Sequence, residues 1–236
     1  MGKMMSKDIP FELETTAKLK NYNTWISDSL DPFVHGSLIE IGSGIGTFSD
    51  LFIDQVDNLT LIEPSRKLCA RLEQKFTKRT HVEIIQSPLE DLETSLANRC
   101  FDCAVLINVL EHIREDKEAL RIIFKLLKPG GHLLIFVPAL MSLFSDLDAA
   151  VGHHRRYHLS ELEEKVKIIG FKTIKIRYFD LLGAISWWLI NVILKRQSID
   201  DNAAIFYDRV GVPLTRCIES CFKPPFGKNL ILIAKK

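Results

Sequence analysis

Apolar residues fall into short runs separated by longer stretches in which they recur every three or four positions. The runs at 38–41, 59–63, 82–86, 102–107 and 132–137 are too short for helices, rich in Leu, Ile and Val, and read as buried strands. The segments between them, ending near 54 and covering 66–76, 89–96 and 115–127, carry helical spacing. Strict alternation of strand and helix predicts a doubly wound α/β sheet. The run 102–107 is apolar on both faces, as a central parallel strand should be. Punctuation agrees. Pro64 halts the second strand, Ser65 can cap the next helix, Lys128-Pro129-Gly130-Gly131 ends the helix 115–127, and Pro138 stops the fifth strand.

An amphipathic helix is predicted over 11–30, with Leu13, Ala17, Leu19, Trp25, Ile26 and Leu30 near helical spacing and Asp31-Pro32 ending it. Past 137 the rhythm changes. Residues 141–151 read as irregular helix. Ser160 and Glu163 have capping-box spacing for a helix to 169, closed by Gly170. A sixth strand is predicted at 172–179, then an apolar stretch at 181–194, a mixed segment at 197–228 and a last strand at 230–234.

A chain of 236 residues fits one domain. Its formal charge of +1 supplies no global field for nucleic acid, and no nucleic-acid partner is expected. The five cysteines (69, 100, 103, 217 and 221) follow a polar start, Met1 to Pro10, that lacks the apolar centre of a leader. Free thiols in a reducing cytoplasm are the simplest reading. Cys100 and Cys103 flank a strand entrance rather than a helix N-terminus. Cys217 and Cys221 have no neighbouring histidine, so packing is assigned to all five.

The candidate chemistry begins at Gly42-Ser43-Gly44-Ile45-Gly46, between the first strand and its helix. Glycine lets backbone N–H groups approach a ligand, and a helix N-terminus adds donors. The dinucleotide fingerprint places its third glycine one residue later, so the turn alone does not choose a cofactor. Glu63, ending the second strand, can accept two hydrogen bonds from ribose hydroxyls, which suits NAD and S-adenosylmethionine equally. Glu40 separates them. An acid inside a strand needs a partner; a cationic amino-acid moiety supplies one, whereas a pyrophosphate is repelled. A clear second mononucleotide-binding half is also missing.

Four segments, E-I-G-S-G-I-G-T-F (40–48), L-I-E-P (61–64), F-D-C-A-V-L-I-N-V-L-E-H-I (101–113) and L-L-K-P-G-G-H-L-L-I-F-V-P (126–138), follow one another in an order that resembles the class I S-adenosylmethionine-dependent methyltransferases, small bacterial type 11/12 group. The resemblance implies a Rossmann-like seven-stranded sheet, mostly parallel, with an antiparallel last strand inserted beside the sixth. It implies that Gly42 and Gly44 hold the methionine part with Glu40 nearby, and that Glu63 and Pro64 stand at the ribose. Ser87, Pro88 and Leu89 would border the adenine, and the Asn108 backbone would face the methionine moiety. Gln86-Ser87-Pro88 departs from the Gly-Asp that many relatives carry there. The chain then divides into a helical cap (1–35), a cofactor-binding half (36–140) and an acceptor-side half with a lid and the C-terminal strands (141–236).

Asp148-x-x-x-Gly152-His153-x-Arg155-Arg156-Tyr157 looks like an element found in a subset of these enzymes, some from polysaccharide- or lipid-modifying systems. It lies beyond the carboxyl end of the fifth strand, where α/β sheets place ligands. Methyl transfer is largely a matter of positioning, and a hydroxyl acceptor also needs a base. His153 is the first candidate and His112 the second. Arg155 and Arg156 could clamp an acidic group on the acceptor, and Tyr157 could stack on it. The competing reading pairs Arg155 and Arg156 with Asp146 and Asp148 to fix a lid, makes His153 a structural donor, and leaves His112 to cap a helix or shape the cofactor pocket. No metal is assigned to His153, His154 and Asp148, because methyl transfer requires none.

The expected activity is methyl transfer from S-adenosylmethionine to a small-molecule, saccharide or lipid-linked acceptor, with oxygen favoured. The alternatives are a non-catalytic cofactor-binding assembly or regulatory module and an NAD-dependent oxidoreductase. The stretch 181–194, with Trp187-Trp188 and followed by Lys195-Arg196, is shorter than the roughly 20 apolar residues of a membrane span. It reads as a helix packed on the core, as an interfacial helix on a bilayer or lipid-linked acceptor, or as a homodimer surface. Cytoplasmic location, with peripheral membrane contact as an extension, follows from these readings.

Overall fold

The computed structural model describes residues 11–96, 99–194 and 201–236. The polar start at 1–10 and the cations Lys195 and Arg196 lie outside the described residues. In chain order the regular elements are α1 (Phe11–Lys18), α2 (Lys20–Leu30), β1 (Ser37–Ile41), α3 (Ser49–Phe52), β2 (Asn58–Ile62), α4 (Arg66–Phe76), β3 (Val82–Ile85), α5 (Leu92–Ser95), β4 (Phe101–Ile107), α6 (Asp116–Leu126), β5 (Leu127–Pro138), α7 (Asp146–Ala150), α8 (Leu159–Ile169), β6 (Lys172–Phe179), α9 (Leu181–Trp187), α10 (Asp201–Phe206), α11 (Val212–Cys221) and β7 (Asn229–Lys235). The strands form one seven-stranded sheet in the order β3-β2-β1-β4-β5-β7-β6. β7 runs antiparallel to both β5 and β6, between them, and the other pairs are parallel.

Side-chain alternation explains why both faces need cover. Ile39, Ile41, Ala104, Leu106, Leu133 and Ile135 pack against Leu120 and Ile123 of α6 and Leu162 and Val166 of α8. Leu38, Val105, Leu134 and Phe136 face the opposite layer, with Trp25 and Ile26 of α2 and Leu72 and Phe76 of α4. The order places the carboxyl ends of β1 and β4 side by side at the reversal of strand order, the crevice where open α/β sheets bind ligands.

Three local expectations are corrected. The helix predicted over 11–30 breaks at Leu19, because Asp208 caps a new helix start: its carboxylate accepts the N–H groups of Asn21 (3.2 Å) and Tyr22 (2.9 Å). The Ser160–Glu163 capping box does not form. α8 starts earlier, with His158 at its N-cap position, and Glu163 pairs with Lys167 at 2.8 Å. A capping box forms at α7 instead, where the Ser145 N–H donates to Asp148 at 2.8 Å. Ser65 occupies the N-cap position of α4, but its side chain makes no capping bond.

The apolar stretch after β6 continues from α9 into a wider-wound turn over Trp188–Ile193. Gly183, Ala184 and Asn191 are buried, while Ile185, Trp188, Leu189, Ile190, Ile193 and Leu194 are exposed. The core-packed reading of this stretch therefore fails for its second half. Among the described residues, no helix is long and apolar enough to cross a membrane.

Candidate active site

The turn after β1 is built on three glycines with positive φ: Gly42 (70°), Gly44 (57°) and Gly46 (74°). Gly42 and Ser43 donate their N–H groups to the Ile62 carbonyl at 2.8 and 3.1 Å, which ties the turn to the end of β2. A Cβ on Gly42 would stand 2.6 Å from Val109 Cγ2, so only glycine lets the exit of β4 close on the turn. Lys75 of α4 donates to the carbonyls of Ile45 (3.1 Å) and Gly46 (2.7 Å), bracing the turn from outside.

Two acids flank the turn. Glu63, buried, accepts the Gly44 N–H on Oε2 and the Ser65 N–H on Oε1, both at 2.9 Å. Burial raises its carboxyl above the usual range, and the two N–H groups only partly offset this. Each oxygen keeps further lone-pair capacity for a ribose hydroxyl. Glu40 is buried on β1 and accepts a hydrogen bond from Ser49 Oγ at 2.5 Å. Burial pushes its carboxyl up to about 7 against the opposing pull of Ser49 and Lys75. Asn108, exposed beyond β4, holds φ at 53° while its N–H donates to the Phe136 carbonyl at 2.8 Å. Such a backbone costs energy and collects at ligand sites. Ser87 and Leu89 are buried beyond β3, and Pro64 and Pro88 are exposed.

These features fit S-adenosylmethionine. The positive-φ turn is a backbone cradle, Glu63 is a held two-oxygen acceptor, and Glu40 is a buried acid that a nearby ammonium would ionise. A cleft of about 680 Å³ on another side of the turn, lined by Ile45, Thr47, Asp50, Arg71 and Lys75, borders neither Glu63 nor Asn108 and is not this cradle.

The segment after β5 folds back onto its end. Tyr157 donates its N–H to Pro138 O and Leu140 donates to Tyr157 O, both at 2.9 Å. Arg156 and Tyr157, expected at the acceptor, sit inside the fold. Arg156 is 2% exposed and donates Nε and Nη2 to the two Asp148 oxygens at 2.9 and 3.0 Å. Tyr157 is fully buried and its hydroxyl donates to Asp116 at 2.9 Å. Arg155 is half-buried and reaches Asp116 (2.8 Å) rather than Asp146. Asp116 also takes Lys165 at 2.6 Å; this hub carries no motif, so only the fold reveals it.

His153 Nδ1 lies 2.9 Å from Asp148 Oδ1. Burial alone would raise the Asp148 carboxyl, but His153, Arg156 and the Ser145 N–H together hold it below the usual range. Asp148 is therefore ionised and His153 Nδ1 donates to it, while Nε2 faces the buried Glu111 carboxylate at 3.8 Å. The exposed His112 stands edge-on to the His153 ring, centroids 4.6 Å apart. Desolvation, followed by the His153 charge, pushes His112 down to about 4. The fold thus brings the two candidate histidines together and adds Glu111, which sequence reasoning placed in a motif without assigning it a role.

A family model described as a methyltransferase domain matches residues 18–176. The probable polyketide synthase 40 of Dictyostelium discoideum is 27% identical over 145 residues, covering 51% of this chain and 6% of that protein, so the chain spans a small fraction of that relative's length. The solved S-adenosylmethionine-dependent methyltransferase from Archaeoglobus fulgidus superposes with a TM-score of 0.62 at 19% identity, over 96% of this chain and 100% of that one. The N-methyltransferase NodS from Bradyrhizobium japonicum WM9, solved with S-adenosyl-L-homocysteine, gives a TM-score of 0.58 at 17% identity, over 98% and 89%. At these identities the structural likeness speaks for the fold. The sheet order, with an antiparallel β7 in place of a second mononucleotide-binding half, lends nothing to the NAD-dependent alternative. Because the family model covers more than half of the chain, the chain belongs to the methyltransferase-domain family.

Proposed function

We propose that the enzyme methylates a hydroxyl oxygen on a saccharide or lipid-linked small molecule. S-adenosylmethionine supplies an electrophilic methyl group on sulfur; the chain's own residues bind the donor, hold the acceptor and handle its proton. The observation that carries the oxygen reading is His153. Its Nδ1 is fixed by Asp148 and its ring stands beside His112, on the segment that follows Asn108, so the neutral imidazole would take a proton at Nε2. An imidazole held in one tautomer is the natural partner for a hydroxyl at neutral pH. Arg155, half-exposed on the same segment and paired with Asp116, is the cation proposed for an acidic group on the acceptor.

Trp187 connects this mouth to the exposed apolar stretch. Its indole N–H donates to Leu143 O at 3.0 Å, and the Arg156 guanidinium lies 4.9 Å from its ring centroid. A lipid-linked acceptor lying along Ile185, Trp188, Leu189 and Ile193 would present its head group toward His153, and the same face would give peripheral contact with a bilayer.

The test is transfer of radiolabelled methyl from S-adenosylmethionine to a panel of free saccharides, lipid-linked saccharides, phenols and amines. Label on hydroxyls, strongly reduced by His153→Ala, is the expected result. Label confined to amines would overturn the oxygen reading.

A further inference from the structure

Glu111, His112 and His153 each offer one ligand atom, and these atoms all lie within 4.8 Å of one another. We propose that the three residues hold a divalent cation of borderline softness, such as Zn²⁺ or Mn²⁺, whose open coordination positions take the oxygen of the acceptor. Two imidazoles and one carboxylate form a recurrent donor set for such ions.

The supporting geometry is in the shell behind the ligands. A metal-bound histidine characteristically donates its other ring nitrogen to a fixed acceptor. His153 does so to Asp148 at 2.9 Å, and Asp148 is in turn gripped by Arg156 and by the Ser145 N–H. His153 Nε2 and Glu111 Oε1 lie 3.8 Å apart, a distance that two ligands each about 2.1 Å from one ion can span. The backbone fixes the two contributing loops together, since His154 donates its N–H to Glu111 O and His153 to Asp148 O, both at 2.9 Å.

The inference rests on the oxygen-acceptor reading and gives Nε2 a cation in place of a proton. A hydroxyl that ligates a cation loses its proton to water more readily. Its oxygen lone pair then forms the new C–O bond while the C–S pair stays on sulfur, turning the sulfonium into a thioether.

The test uses the full chain, stripped with a chelator and titrated with Zn²⁺, Mn²⁺ and Co²⁺ by calorimetry and, for Co²⁺, by its visible absorption, with neither donor nor acceptor present. One ion per chain is expected, weakened by about tenfold or more in His112→Ala and in the isosteric Glu111→Gln. His35→Ala, which dismantles a second His35–Cys103–His132 grouping elsewhere, should leave this binding unchanged. No saturable binding of any of the three ions overturns the proposal, as does binding that His112→Ala leaves intact and His35→Ala removes. Methyl transfer to hydroxyls that continues under chelator also overturns it while sustaining the oxygen reading. Binding at this site with no hydroxyl ever methylated sustains the site and removes the oxygen reading.

Discussion

Glu63 Oε2 accepts the N–H of Gly44 at 2.9 Å, so the acid that ends one strand is fastened to the glycine turn that follows another. The bond presets the carboxylate before any donor arrives. Glu63→Ala should weaken S-adenosylhomocysteine binding by about 10- to 100-fold or more, the worth of one or two hydrogen bonds to a charged group. Calorimetry reads this directly. Unchanged affinity would show that the ribose lies elsewhere.

Gly42 and Gly44 should respond differently to alanine. Both have positive φ, but a Cβ at Gly42 meets Val109 at 2.6 Å, whereas one at Gly44 meets Leu13 at an ordinary 3.4 Å. Gly44→Ala should cost about 1 kcal/mol of stability from backbone strain, and Gly42→Ala about 2–3 kcal/mol. Urea unfolding of the two variants measures the difference.

Glu40 makes stability depend on pH with a definite sign. Its folded-state value of about 7 lies above the ordinary 4.5, so the native state binds the proton more tightly. The associated stability, on the order of 3 kcal/mol, is full below 4.5 and is lost as pH rises to about 7. Glu40→Gln keeps an acceptor for Ser49 and removes the titration. Relative to this variant, the wild-type melting temperature should fall between pH 4.5 and 7. Parallel curves for the two proteins would exclude Glu40 as the titrating group.

Asp148 and Arg155 separate a fully buried pair from one whose cation is half-exposed. Asp148→Ala leaves Arg156 buried without its carboxylate and should cost about 3–5 kcal/mol. Arg155→Ala should cost about 1 kcal/mol or less, since Lys165 also neutralises Asp116. The Asp148 contribution is present above its ordinary 3.8 and is lost as pH falls through its lower folded value. Denaturation midpoints at pH 7 and below 4 test both statements.

The exposed face from Ile185 to Leu194 gives a prediction independent of chemistry. The wild-type chain should float with lipid vesicles, and a Leu189→Asp variant should stay behind, because a charge on this face opposes burial in the interface. A wild-type chain that ignores vesicles but elutes as a dimer would reassign the face to self-association.

How much of this was legible in the chain varies by element. β6 and α4 appear with the bounds their apolar spacing predicts, and in α4 the spaced residues Leu68, Leu72 and Phe76 are also the buried ones. The positive-φ turn and the place of Glu63 just past β2 were also readable, since each follows from residue type and strand position. The break at Leu19 was not: its cause is Asp208, 187 residues beyond Asn21 in the chain. Nor was the burial of Arg156 and Tyr157, whose cationic and aromatic run reads from sequence as a surface cluster. Asp148 and Asp116 turn both residues inward, and only the packing of β5, α6 and α7 brings those acids to them.

The sequence alone therefore determined the alternation that builds the sheet, the backbone freedom of the turn and the acid beside it, because these depend on neighbours within a few residues. Tertiary structure decided which charges are spent internally and which remain at the mouth. Hydrogen bonds and ion pairs are settled by groups that meet through space, and the meeting of Glu111, His112 and His153 depends on two loops about 40 residues apart being fastened by backbone bonds.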